Sequence, residues 1–353
     1  MRRPPFAFMF LLCASTLIAS VSLPHARPVR AGSNANLGSR TFEFSYHVQF
    51  PATPDAAAGS VNLWLPYPTK TDVYQTPAAS VSITENVAHT IGREPEYGND
   101  FVVFHPSAAQ IASGFEAGIR FTVTRKEYVA LRDGAAVKRT SYSPAPAALL
   151  HRYLQPDRLV PLNGAIAELA KQQTAGATTP MEKARKIYDY VVTMHYDKSG
   201  EGWGRGDAIW ACDSKRGNCT DFHSVFIGMM RYSGIPARFE IGFPLPEGKT
   251  EGEIPGYHCW SEFYIDGIGW VPVDASEASK DPTKRDYFFG ALDANRVLFT
   301  YGRDIRLSPE QKGEPLNYFI YPHAEINGQP VKELKRTFSF REVSAAQRAE
   351  ASR

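Results

Sequence analysis

Between Thr41 and Leu131 the chain alternates apolar and polar residues at a period of two, which restricts this quarter of it to strands buried on one face. The run TFEFSYHVQF is the clearest case, followed by SVNLWLPYP, ASVSITENVAHTIG, DFVVFHPS and GIRFTVTRKEYVAL. Gly, Pro, Asp and Asn cluster between the runs, as a many-stranded sandwich requires. A β-sandwich-like domain is therefore expected over residues 40–142. Its histidines, His47, His89 and His105, stand singly on strands and read as surface or core residues, not as ligands.

Ahead of the strands lies a different pattern. Arg2 and Arg3 precede an apolar run from Phe6 to Leu23, and Val29-Arg30-Ala31 forms a small-residue cleavage site. Residues 1–31 are expected to be a signal peptide cut after Ala31, placing the mature chain in the periplasm or outside the cell. The alternative is an uncleaved anchor, since 18 mostly apolar residues approach the ~17–25 that span a bilayer. No later segment is long and apolar enough to span, so no stable membrane insertion is expected after cleavage.

Charge argues against nucleic acid as a partner. The chain has 39 Lys+Arg and 37 Asp+Glu. Removing residues 1–31, with four Arg and no acid, leaves 35 against 37, or −2. Such a balance provides no global field for phosphates.

Residues 143–178 are rich in Pro and Ala and read as a connector. A helix start follows: Thr179 caps, Pro180 takes the first helical position and Glu182 completes a capping box. Ala184, Ile187, Tyr188, Val191 and His195 then follow at helical spacing and are expected to form one buried face. This opens a second domain, expected over 179–341, with a frayed tail at 342–353.

Chemistry concentrates in GNCTDFHSVFIGMMRYSGIPARFEIGF and GYHCWSEFYIDGIGWVPVDASEA. Phe222, Val225, Phe226, Met229 and Met230 recur at helical spacing, ended by Gly234 and Pro236. Cys219 thus falls in a first helical turn, where unpaired N–H groups and the helix dipole favour a thiolate. Asp221 opposes that charge, and Lys215 and Arg216 offset it. His258 opens a strand and Asp274 closes another, with Asp266-Gly267 as the turn between them. A hairpin centred there makes His258 and Asp274 neighbours to within about one residue of register. An imidazole beside a carboxylate is the arrangement a general base needs. Alternation puts Cys259 on the face opposite His258, away from a site built on that histidine.

GNCTDF at a helix start, GIPAR after the helix and YHCW…GWVPVDAS resemble the transglutaminase-like superfamily of cysteine enzymes, over roughly residues 180–276. The resemblance implies an α+β fold with a papain-like, transglutaminase-like core after the β-sandwich-like domain. It also implies Cys219 as nucleophile, His258 as base and Asp274 as orienting acid. Where related enzymes carry an oxyanion-hole glutamine this chain has Asp213, with Trp210 or Trp203 as substitutes. Many members have a small residue at the position of Cys259. Cys212 and Cys259 are expected to form a disulfide, leaving Cys219 free.

His223 lies one turn after Cys219 and is expected to pack or hydrogen-bond beside the site. Spacings among Cys212, Cys219, His223, His258 and Cys259 are not those of a zinc module, and no acidic calcium loop is present. No cofactor is implied. Arg303 and Asp304 read as a surface ion pair.

The function implied is that of an exported enzyme acting on amide bonds of a protein or peptide substrate through a thioester. Hydrolysis is favoured over amine transfer and cross-linking because an exported chain works in water. A non-catalytic cell-envelope binding module is the alternative of another class.

Overall fold

The computed structural model describes residues 38–56, 59–68, 74–132, 134–137, 144–307, 311–332 and 334–344. The expected signal peptide and the end of the expected tail, 345–353, lie outside these. Among the described residues no helix is long and apolar enough to cross a membrane.

The strands that build the sheets are β1 (Ser39–Phe50), β2 (Val61–Pro66), β3 (Gln75–Ile83), β4 (Ala88–Arg93), β5 (Asp100–His105), β6 (Phe115–Lys126) and β7 (Ala237–Pro244). They continue as β8 (Glu251–Glu253), β9 (His258–Ile265), β10 (Gly269–Val273), β11 (Arg296–Tyr301), β12 (His323–Ile326), β13 (Gln329–Pro330) and β14 (Lys335–Glu342). The principal helices are α1 (Gly164–Thr174), α2 (Pro180–Val191), α3 (Ala208–Ser214), α4 (Cys219–Tyr232) and α5 (Ala275–Lys280).

Two five-stranded antiparallel sheets, ordered β8-β14-β1-β6-β3 and β13-β12-β2-β5-β4, contain the expected N-terminal strands. Each sheet also recruits strands from the C-terminal end: Phe42 pairs with Glu342 and Trp64 with His323. The segment expected to complete the second domain is thus built into the sheets of the first. The described residues all belong to one compact unit.

A third sheet, β10-β9-β7-β11, carries the residues of interest. The period-two pattern of β1 buries Phe42, Phe44, Tyr46 and Val48. Phe44 packs on Phe243 of β7 and Phe299 of β11, with ring centres 5.2 and 5.3 Å apart. Edge strand β11 is closed by side chains of the N-terminal half. Gln75 exchanges two 2.8 Å hydrogen bonds with the backbone of Leu298, and Asn99 exchanges bonds of 2.8 and 2.9 Å with that of Tyr301. Unpaired backbone groups at a sheet edge are thereby satisfied.

Strands β7 and β11 approach closely at a register shift between Ile241 and Gly242. A Cβ on Gly242 would lie 1.7 Å from the carbonyl oxygen of Val297, which no side chain can tolerate. Gly242→Ala should therefore lower unfolding stability by at least about 2 kcal/mol in a denaturant titration. An unchanged midpoint would contradict this packing.

The helices follow their local signals. The Thr179–Glu182 capping box forms at the start of α2, with Pro180 in place, but the helix ends at Val191, so His195 is not on its buried face and lies exposed on a short strand beyond it. Helix α4 differs from its expected single apolar stripe, because every residue from Cys219 to Arg231 is buried. Its polar groups are therefore bonded internally: Ser224 donates to the Thr220 carbonyl, and Arg231 to the Ala237 and Gln155 carbonyls and to Asp157. The expected connector is not a loose linker. It carries Asp157 and helix α1, whose Ile166 side chain meets Gly228 in the middle of α4.

Candidate active site

Cys219 is the first residue of α4, and two capping hydrogen bonds fix that start. Asn218 is the N-cap and accepts from the Thr220 N–H at 2.9 Å, while Asp221 returns a 2.9 Å bond to the Asn218 N–H. As the first helical residue, Cys219 has no intrahelical acceptor for its own N–H. Asp221 also accepts from the N–H groups of Gly204 and Gly206 at 2.7 and 2.9 Å. The loop SGEGWGRGD folds around this carboxylate with Gly200, Gly202, Gly204 and Gly206 all at positive φ. Asp221 is thus an anchor for the loop, a role its place in the sequence did not reveal.

His258 and Asp274 come together through a three-residue loop. Ile265 pairs with Gly269 and Ser261 with Val273, so facing residues sum to 534. A turn centred between Asp266 and Gly267 would have made them sum to 533 and set 258 and 274 on opposite faces. The additional loop residue makes them diagonal neighbours on one face. His258 Nε2 lies 2.7 Å from Asp274 Oδ2.

Asp274 is fully buried and has four partners. Oδ2 also accepts from Arg296 Nη1 at 2.9 Å, while Oδ1 accepts from the Ser276 hydroxyl and the Glu277 N–H, both at 3.0 Å. Burial alone would raise its pKa. His258, then Arg296 and His223, override that and hold the carboxyl well below its ordinary value. Arg296 gave no sequence signal, lying 22 residues downstream with no motif of its own.

With Nε2 committed to Asp274, Nδ1 is the His258 nitrogen left to hydrogen-bond the Cys219 thiol. Burial disfavours the imidazolium, but Asp274 and then Cys219 outweigh it and push the pKa up to about 10. For Cys219 burial favours the neutral thiol. Cys259, His258 and His223 together reverse this and bring the pKa well below that of a free thiol. Together these opposed shifts favour a thiolate–imidazolium pair, with Asp274 beside the imidazolium as counter-ion.

The other predicted residues fall into place with corrections. His223 is buried beside the site, as expected, and its Nε2 accepts from the Ala275 N–H at 3.2 Å. Cys212 and Cys259 form no disulfide: all three described cysteines are free. Cys212 sits on α3 near Tyr190, whereas Cys259 lies under the first turn of α4, 3.7 Å from His223 Nδ1 and 3.8 Å from Thr220 Oγ1. Cys259 does take the opposite face from His258, yet it is not away from the site. Helix α4 packs on that face and its first turns reach the strand end, where Thr220 and His223 meet Cys259.

Asp213 is exposed, Trp203 Nε1 donates to the Gly200 carbonyl, and Trp210 packs under the Arg216 guanidinium. Arg216 pairs with Asp197 at 2.9 Å and does not offset Asp221. Arg303 is buried and not a surface partner of Asp304. It donates to Ser224 Oγ at 2.8 Å and to the carbonyls of Arg205 and Gly206 at 3.2 Å, tying the glycine loop to α4. Asp304 pairs instead with Arg158. Tyr257, unremarked in the sequence, places its hydroxyl 2.8 Å from Thr220 Oγ1 and accepts from Asn218 Nδ2 at 3.1 Å. Among the described residues no group of three or more His, Cys, Asp or Glu is arranged to hold a metal ion.

Residues 167–275 match the transglutaminase-like superfamily. An uncharacterized protein of Haemophilus influenzae is 27% identical over 361 residues, covering 92% of this chain and 95% of that protein. The Bacillus subtilis protein YebA is 26% identical over 149 residues, 38% of this chain and 20% of that one. In fold the chain is similar to a Cytophaga hutchinsonii protein described as a candidate cysteine protease, with a TM-score of 0.55 at 14% identity. That likeness covers 87% of this chain and 98% of the other. The architecture is α+β with a transglutaminase-like core.

Proposed function

We propose that this chain, whose residues 167–275 form a transglutaminase-like domain, is an exported cysteine enzyme that cleaves amide bonds through Cys219, His258 and Asp274. The observation that carries the reading is the 2.7 Å contact of buried His258 with buried Asp274, in a chain whose Cys219 opens a buried helix packed on the same sheet. The Cys219 thiolate attacks the amide carbonyl carbon, and the N–H of Cys219 faces the developing oxyanion. The His258 imidazolium gives its proton to the departing nitrogen, leaving a thioester on Cys219 and a neutral imidazole. Water then gives a proton to His258 and attacks the thioester, and the thiolate departs.

Hydrolysis is favoured over amine transfer because the expected signal peptide delivers the chain to an aqueous compartment where water is the abundant nucleophile. Peptide or isopeptide amides are the substrate class.

Mass spectrometry after incubation with glutamine peptides and a primary amine separates the outcomes. Cleavage or deamidation, absent in Cys219→Ala, supports the hydrolase; loss of ammonia with gain of the amine supports a transferase. No change in either mass would leave a non-catalytic binding module as the better reading.

A further inference from the structure

Asp274 holds His258 with an oxygen that it does not give to His258 alone. Oδ2 takes His258 Nε2 at 2.7 Å and Arg296 Nη1 at 2.9 Å, while Oδ1 accepts from the Ser276 hydroxyl and the Glu277 N–H. Orienting an imidazole needs only the first of these contacts. A buried guanidinium on the same oxygen is an added positive charge, and an arginine keeps its charge at any pH the folded protein meets.

Arg296 is aimed by groups other than the three residues of the proposed mechanism. Its Nη2 and Nε reach Asp293 at 3.3 and 3.5 Å, and the guanidinium lies 5.0 Å from the centre of the Trp260 ring. Strand β11 is braced two residues further on, where Gln75 bonds the backbone of Leu298. The guanidinium therefore keeps its place on Asp274 whether or not His258 carries its proton.

We propose, on the reading of Cys219, His258 and Asp274 as the catalytic residues, that Arg296 is a positioning residue for proton transfer: by sharing the oxygen that holds His258, it keeps Asp274 an anion and makes the imidazolium readier to release its proton to the departing nitrogen. With His258 protonated, two cations face one buried carboxylate. When Nδ1 gives up its proton, Arg296 remains as counter-ion and the carboxylate is not left bare. Without the guanidinium the same release would strand a buried anion, so the His258–Asp274 pair would hold the proton to higher pH.

The other titratable groups around the pair do not provide this charge. His223 on α4 lies 3.8 Å from Asp274 Oδ1, but its Nε2 accepts from the Ala275 N–H and burial lowers its pKa. Glu277 on α5 comes within 3.8 Å of His258 and is itself paired with Lys280 at 2.6 Å. Cys219 faces His258, whereas Cys259, Tyr188 and Tyr196 face Asp274, and Arg125 on β6 faces Arg296. All of these persist when Arg296 is changed.

The test is the ring titration of His258, followed by NMR of labelled histidine in a Cys219→Ala background, where no thiolate contributes, and assigned by its loss in His258→Gln. Arg296→Gln should raise the His258 midpoint by about one pH unit, a tenfold gain in proton affinity. Arg296→Lys, which keeps the charge, should return the midpoint toward the parent value. A merely structural brace has the opposite sign, because a loosened Asp274 would hold the imidazolium less well and the midpoint would fall. A midpoint that falls or stays in Arg296→Gln, or a Lys variant as high as the Gln variant, overturns the proposal. If Arg296→Gln does not fold, Arg296→citrulline, a neutral group of nearly the same shape, takes its place with the same rise expected and the same outcomes overturning it. Failure of the nucleophile reading shows separately, as an ordinary Cys219 midpoint near ~8.5 in the wild type, whatever Arg296 does to His258.

Discussion

Asp274→Asn should raise the thiolate midpoint of Cys219 by about two units, which at a pH below both midpoints cuts its alkylation rate about a hundredfold. Asn matches Asp in shape but lacks the charge that lifts His258 to about 10. Without it the imidazolium loses its 2.7 Å partner, and the amide also permits the wrong ring tautomer. The sign follows from linkage between neighbours: a less stable imidazolium stabilises the adjacent thiolate less, so Cys219 holds its proton to higher pH. Turnover on any substrate should fall further, by roughly 10³- to 10⁴-fold, because the proton transfer to the leaving group is also impaired. Labelling at the wild-type rate in Asp274→Asn would mean that the carboxylate does not control the couple.

The second large effect is on stability. Asp157 is buried between Arg231 and Arg152, with 2.8 Å contacts to each, and the Arg231 side chain is itself inaccessible to water. Asp157→Ala leaves a buried guanidinium without its counter-ion and should cost roughly 3–5 kcal/mol in urea unfolding. Burial alone would raise the Asp157 pKa, but Arg231 and then Arg152 lower it. Its stabilising contribution is therefore complete above the unfolded value of ~3.9 and is lost as pH falls through the lower native value. The variant should show less loss of stability than wild type between about pH 4 and the acid limit of folding. A cost below about 1 kcal/mol would contradict the burial of this pair.

Much of the site was legible because its signals are local. A Cys in a first turn, a His opening a strand and an Asp closing the next one each have a sequence signature, as does the Thr179–Glu182 cap. The hairpin register was less so. Asp266-Gly267 reads as a two-residue turn, but Ile265 and Gly269 enclose three residues, and that single residue decides which faces meet. Contacts between distant segments left no trace in any window. Phe42 opposite Glu342, Arg296 on Asp274 and Arg303 on the Gly206 carbonyl join residues whose proximity only the closed fold creates. Cys259 illustrates the limit of strand alternation, which fixes the face of a side chain but not what packs across the end of the strand.

The central claim is a Cys219 thiolate paired with a His258 imidazolium, and its most direct test is the alkylation rate of Cys219 from pH 4 to 11 in the non-reduced protein. His258→Ala serves as the reference. The wild type should show a midpoint well below the ~8.5 of a free thiol and a second inflection near pH 10 as His258 loses its proton. Both features should vanish in His258→Ala, leaving one ordinary thiol titration. A wild-type profile with a single midpoint at or above ~8.5, unchanged by the substitution, would contradict the couple and with it the enzyme.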